Sequence, residues 1–128
     1  MDANLQILVV DDYVTMVRIV RKLLKQIGYE NVDEASNGEM ALKMIKEKKY
    51  GLIISDWNME PMTGYELLKH VRAAGETAKI PFMLVTAESR PDNVAAAQKS
   101  GANEYLVKPF SAPVLKEKIQ KALAAMAA

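Results

Sequence analysis

The chain has 128 residues, 50% of them apolar and 26% charged, a composition that suits one globular domain able to bury a core. Its 17 basic and 16 acidic residues leave a net charge of +1, which gives neither nucleic acid nor an anionic membrane an electrostatic hold. The lack of cysteine excludes disulfides, thiolate–zinc sites and thiol catalysis, and fits a reducing cytoplasm.

Met1-Asp2-Ala3-Asn4 opens on an acid, and the apolar run Ile7 to Val10 is too short for a signal peptide or a membrane span. With no internal repeat and no low-complexity linker, residues 1–128 read as a single domain. Short β-rich apolar runs alternate along it with longer amphipathic stretches. Ile7 to Val10 is the first predicted strand. The following stretch puts Met16, Val17, Val20, Leu23, Leu24 and Ile27 on one helical face and Arg18, Arg21, Lys22 and Lys25 opposite, with Gly28 as the terminating glycine. Asn31 to Ser36 is a short second strand. Glu39 to Lys48 is helical, with Leu42 and Ile45 inward. Leu52 to Ser55 is a third strand, Tyr65 to Ala74 a third helix with Leu67, Leu68 and Val71 inward, and Phe82 to Val85 a fourth strand. A small fourth helix, Asp92 to Lys99, follows Pro91. Glu104 to Val107 is the fifth strand. Ala112 begins a last, alanine-rich helix with Leu115, Ile119 and Leu123 inward.

Five strand–helix repeats imply an α/β fold, a parallel sheet covered by helices on both faces, and the continuously apolar strands agree. Such a sheet builds its ligand crevice at the carboxyl ends of its strands. Asp11 and Asp12 follow the first strand, Asp56 the third, Thr86 the fourth and Lys108 the fifth. Three carboxylates, a hydroxyl and an ammonium therefore converge on one edge.

Clustered carboxylates repel one another and raise each other's pKa. A hard divalent cation relieves that repulsion, and magnesium suits oxygen ligands of this kind. A phosphoryl group needs the same surroundings: a metal and a cation around its equatorial oxygens, and a hydroxyl donor. A carboxylate can itself attack phosphorus and form an aspartyl phosphate.

Four segments in this order, Val10-Asp11-Asp12, Ser55-Asp56-Trp57-Asn58-Met59, Val85-Thr86-Ala87-Glu88 and Val107-Lys108-Pro109-Phe110, resemble the receiver domains of bacterial two-component response regulators, especially the CheY-like group. The resemblance runs from the first strand to the last helix. It implies a flavodoxin-like five-stranded sheet in the order 2-1-3-4-5 and a magnesium-dependent switch, phosphorylated on Asp56 by a sensor histidine kinase. It implies that Asp12, Asp56 and the backbone carbonyl of Asn58 ligate Mg2+, with Asp11 helping through water. Lys108 would pair with the phosphate, and the Lys108–Pro109 bond would be cis. Thr86 and Ala87 would meet the phosphoryl oxygens, and Tyr105 would turn inward behind Thr86. That would alter a target-binding surface on the fourth helix, fifth strand and fifth helix, where Val94, Tyr105 and Lys118 lie. Asn58 and Glu88 occupy the positions that tune loss of the phosphoryl group. The resemblance further implies a monomeric cytoplasmic signalling protein rather than an enzyme. Its target would be a protein such as a flagellar motor switch component, with a phosphatase as a further partner.

Two positions depart from the family pattern. Glu60 stands where a proline is usual, with Pro61 one place later, and Thr63 precedes Gly64 where an acid is common. Both bear on phosphoryl lifetime and donor preference, and Glu60 joins the tuning positions.

Blander readings stand beside these. Asp11-Asp12 alone would cap a helix, Asp56 would cap a strand end, and Thr86 alone would be structural. Tyr105 reads equally as a half-buried strand tyrosine, and Trp57 as packing near the site. His70 reads as solvated, Met16, Met40, Met44 and Met83 as core filling, and Lys116, Lys118 and Lys121 as a solvated face. The rival functions are a receiver fragment of a longer regulator, a magnesium phosphohydrolase using Asp56, and a flavin-binding domain, whose phosphate Asp11-Asp12 would repel.

Overall fold

The computed structural model describes residues 4–87 and 90–127. In chain order it contains β1 (Ile7–Val10), α1 (Val14–Ile27), β2 (Val32–Ala35), α2 (Gly38–Glu47), β3 (Leu52–Asp56), α3 (Gly64–Ala73), β4 (Phe82–Thr86), α4 (Pro91–Lys99), β5 (Glu104–Val107) and α5 (Ala112–Ala127). The strands form one sheet in the order β2-β1-β3-β4-β5, every pair parallel. This is the expected doubly covered sheet, with element ends shifted by one or two residues.

Successive side chains of a strand point to opposite faces, so each inner strand feeds two cores. Ile7, Val9, Leu52, Ile54, Met83 and Val85 pack under α1 and α5 with Val17, Val20, Leu24, Leu115 and Ile119. Leu8, Val10, Ile53, Phe82 and Leu84 pack under α2, α3 and α4 with Ala41, Ile45, Leu67, Leu68, Val71 and Ala97. Each fully buried aliphatic side chain contributes about 1.5–3 kcal/mol, which is why the apolar runs were legible as strands.

Gly28 ends α1 at φ 120°, its N–H donating to the carbonyls of Leu24 and Lys25. An L side chain resists that conformation. The N-cap of α1 is Tyr13, without a side-chain cap, so Asp11 and Asp12 do not cap this helix. Asn37 caps α2 by accepting from the N–H of Met40 at 2.8 Å. That start turns Met40 outward to 44% exposure, which corrects its reading as core; its Sδ accepts from Ser36 Oγ at 3.6 Å. Ala41 and Ala122 are fully buried, and Leu42 and Leu123, expected inward, are half-buried beside them. His70 is exposed, as expected.

Helix α4 is the least anchored. Pro91 opens it, and Ala97 is its one fully buried residue. No described helix is long and apolar enough to cross a membrane.

Candidate functional site at the carboxyl edge of the sheet

The sheet register brings the expected residues together. Val10 lies beside Ser55, Asp56 beside Val85, and Thr86 beside Val107, so Asp11, Asp56, Thr86 and Lys108 end neighbouring strands on one edge. The ladder continues past the strands: Trp57 N–H donates to Val85 O at 2.9 Å, and Lys108 N–H to Thr86 O at 2.7 Å.

Asp56 is held from behind by two neighbours that the sequence did not single out. Ser55 Oγ donates to the Asp56 carbonyl at 3.0 Å. Gly64, the first residue of α3, lies so close that a Cβ there would sit 2.0 Å from the same carbonyl oxygen. Thr63 fixes the start of α3 through a capping box: its hydroxyl accepts from Glu66 N–H and the Glu66 carboxylate accepts from Thr63 N–H, both at 3.1 Å. The Thr-x-x-Glu spacing was a readable signal for that cap. The departure at Thr63 therefore has a structural role.

The carboxylates of Asp11, Asp12 and Asp56 each offer an oxygen, and these oxygens lie within 4.8 Å of one another. Asp11 and Asp56 are buried, at 5% and 7% exposure, and Asp12 is exposed. Lys108 Nζ lies 2.8 Å from Asp56 Oδ1 and 3.7 Å from Asp11 Oδ2. Burial pushes the Asp11 carboxyl pKa up, and the charges of Asp56 and Asp12 add to that; the Tyr13 N–H, which donates to Oδ1 at 3.0 Å, and Lys108 act against it. An oxygen-only donor set with excess negative charge fits a hard divalent cation. Beside it opens a groove of about 410 Å³ lined by Asp12, Asn58, Met59, Glu60 and Thr63.

Residues 7–120 match the family model described as response regulator receiver domain. The chain belongs to that family. It is 45% identical over 117 residues to the chemotaxis protein CheY of Pseudomonas aeruginosa, covering 91% of this chain and 94% of that one. It is 43% identical over 121 residues to chemotaxis protein CheY-3 of Vibrio cholerae, covering 94% and 93%. Among solved structures, Vibrio cholerae CheY4 superposes with a TM-score of 0.87 at 35% identity, covering 94% of this chain and 100% of that one.

Other expected positions of this receiver domain are also placed. Asn58 and Glu60 are exposed and line the groove, Ala87 is exposed, and Thr86 is buried. Val94 and Tyr105 are half-buried. Glu88 lies outside the described residues. The Lys108–Pro109 bond is cis, as expected, and so is Glu60–Pro61, which was not. Lys118 is not a free member of a solvated face: its Nζ pairs with Glu104 Oε1 at 3.0 Å, tying α5 to β5. Lys121 pairs within its own helix with Glu117. Trp57 stacks on Tyr65, with centroids 5.1 Å apart and planes 4° from parallel, and meets Tyr105 edge-on at 6.2 Å.

Proposed function

We propose that Asp56 is the phosphoacceptor of a magnesium-dependent signalling switch. The observation that carries the reading is the ammonium of Lys108 at 2.8 Å from Asp56, inside a cluster with Asp11 and Asp12. A carboxylate oxygen of Asp56 attacks the phosphorus of a kinase phosphohistidine; the P–N bond breaks and its electron pair returns to the imidazole. Asp11, Asp12, Asp56 and the carbonyl of Asn58 would hold Mg2+, which when bound neutralises charge on the phosphoryl oxygens. Lys108 stays on the phosphoryl group as a fixed cation, and the Thr86 hydroxyl and the backbone at Ala87 donate to its oxygens. Tyr105 follows Thr86. The face of α4, β5 and α5, with Val94, Tyr105 and Lys118, then binds a target protein.

Likeness to two chemotaxis proteins over nearly the whole chain supports chemotaxis as the pathway, with a motor switch component as target. Asn58, Glu60 and Glu88 set the lifetime of the phosphoryl group, alone or with a phosphatase. The protein works as a cytoplasmic monomer and turns over no foreign substrate.

Trp57 adjoins the acceptor and reports on it. Titration with Mg2+ and then beryllofluoride should change Trp57 fluorescence in two steps, and Asp56→Asn should abolish the second. A wild-type protein silent to both additions would sink the reading.

A further inference from the structure

We infer that Tyr65 is a positioning residue that carries the state of Asp56 to the turn between α4 and β5, in addition to Thr86 and Tyr105. The inference rests on Asp56 being the acceptor.

Trp57 is covalently next to Asp56, and its ring lies flat on Tyr65. Tyr65 directly follows Gly64, whose Cα is pressed against the Asp56 carbonyl. The Tyr65 ring therefore touches the acceptor segment, and its backbone follows directly on the glycine that packs against Asp56. Lys69 Nζ lies 4.5 Å from the centre of the same ring. At its far end, Tyr65 Oη is 2.9 Å from Ser100 Oγ. Ser100 is the C-cap of α4, the helix with one fully buried residue. A weakly packed helix is where a single hydrogen bond can shift a conformational balance. Arg72 holds the same turn from the other end of α3, donating through Nε to Gly101 O at 3.0 Å and through Nη2 to Asn103 Oδ1 at 2.9 Å. Two residues of α3, Tyr65 and Arg72, thus fasten the turn, and of these Tyr65 stacks on the neighbour of the acceptor.

The Tyr65–Ser100 bond belongs to the resting state, and a phosphoryl group on Asp56 loosens it by moving Trp57. Reciprocity makes this measurable: a bond that differs between two states must, when deleted, change affinity at Asp56. A bond of equal strength in both states would cost stability alone.

The test is beryllofluoride affinity at saturating Mg2+, read by Trp57 fluorescence, in wild type, Tyr65→Phe, Ser100→Ala and the double variant. Phenylalanine keeps the stack and removes the hydroxyl. Each single variant should bind up to about fivefold more tightly, the scale of one neutral hydrogen bond. The double variant should gain no more than either single one, since all three lose the same bond. Hydrogen exchange at residues 97–102 should rise in wild type on beryllofluoride binding, and should already be raised in Tyr65→Phe without it. Unchanged affinity in both single variants, with beryllofluoride still bound, would overturn the role of Tyr65 and leave the acceptor reading standing. A wild type that binds no beryllofluoride would overturn both.

Discussion

Lys108 Nζ lies 2.8 Å from Oδ1 of Asp56 although their strands, β5 and β3, do not pair, β4 running between them. The lysine reaches across two strand spacings, roughly 10 Å, to place its charge on a carboxylate with two others within 4.8 Å of it. Replacing it with Met should leave Asp56 buried beside Asp11 without compensation. In urea unfolding without metal, Lys108→Met should lose about 1–2 kcal/mol, and Mg2+ should restore part of the loss. No change in stability would mean that solvent already screens the pair.

Asp11 gives the opposite sign. Its pKa is raised above the ordinary 3.8, chiefly by burial, so the folded chain holds the proton more tightly than the unfolded one. Ionisation therefore costs stability as pH rises through the window above 3.8. Asp11→Asn should be more stable than wild type at neutral pH in chelator, with the gap closing as the pH falls toward 3.8 and narrowing on addition of Mg2+. Thermal melts across that range check it; a less stable Asn variant at neutral pH would contradict it.

Asp33 behaves as the usual carboxylate does. It accepts from Tyr50 Oη at 2.6 Å and Lys48 Nζ at 2.9 Å, and these two donors, the tyrosine first, lower its pKa. The stabilisation is present above 3.8 and is lost as pH falls below that through the folded value. The side chain is 35% exposed, so solvent screens the pair. Asp33→Asn should cost only about 0.5–1 kcal/mol at neutral pH, and nothing well below the folded pKa, as read by urea midpoints at two pH values.

The strands and the site edge were legible because a doubly covered parallel sheet forces apolar runs, and each run ended at a chemically distinctive residue. Asp11, Asp56, Thr86 and Lys108 needed only the strand ends to be found. What was not legible depends on contacts between distant parts of the chain. Nothing in Tyr65 or Ser100 alone announces their bond, and Lys118 meets Glu104 through the way α5 lies on β5. Met40 faces outward rather than into the core because the Asn37 cap fixes where α2 starts. The capping box at Thr63 and Glu66, by contrast, is legible in the Thr-x-x-Glu spacing itself.

Gly64 belongs with the hidden contacts, since a glycine after Thr63 reads as an ordinary helix start. Its role is the close approach to the Asp56 carbonyl. Gly64→Ala should lose about 3 kcal/mol by denaturant unfolding, and should weaken beryllofluoride binding because the backbone of Asp56 must shift. An alanine variant with wild-type stability would show that α3 moves aside freely.

The account rests on Asp56 taking the phosphoryl group. Intact-mass and peptide measurements after incubation with acetyl phosphate and Mg2+ test this directly. One hydroxylamine-sensitive phosphoryl group is expected on the peptide containing Asp56, absent with chelator and absent in Asp56→Asn. A wild-type protein that stays unmodified, or carries the group on another residue, would contradict it.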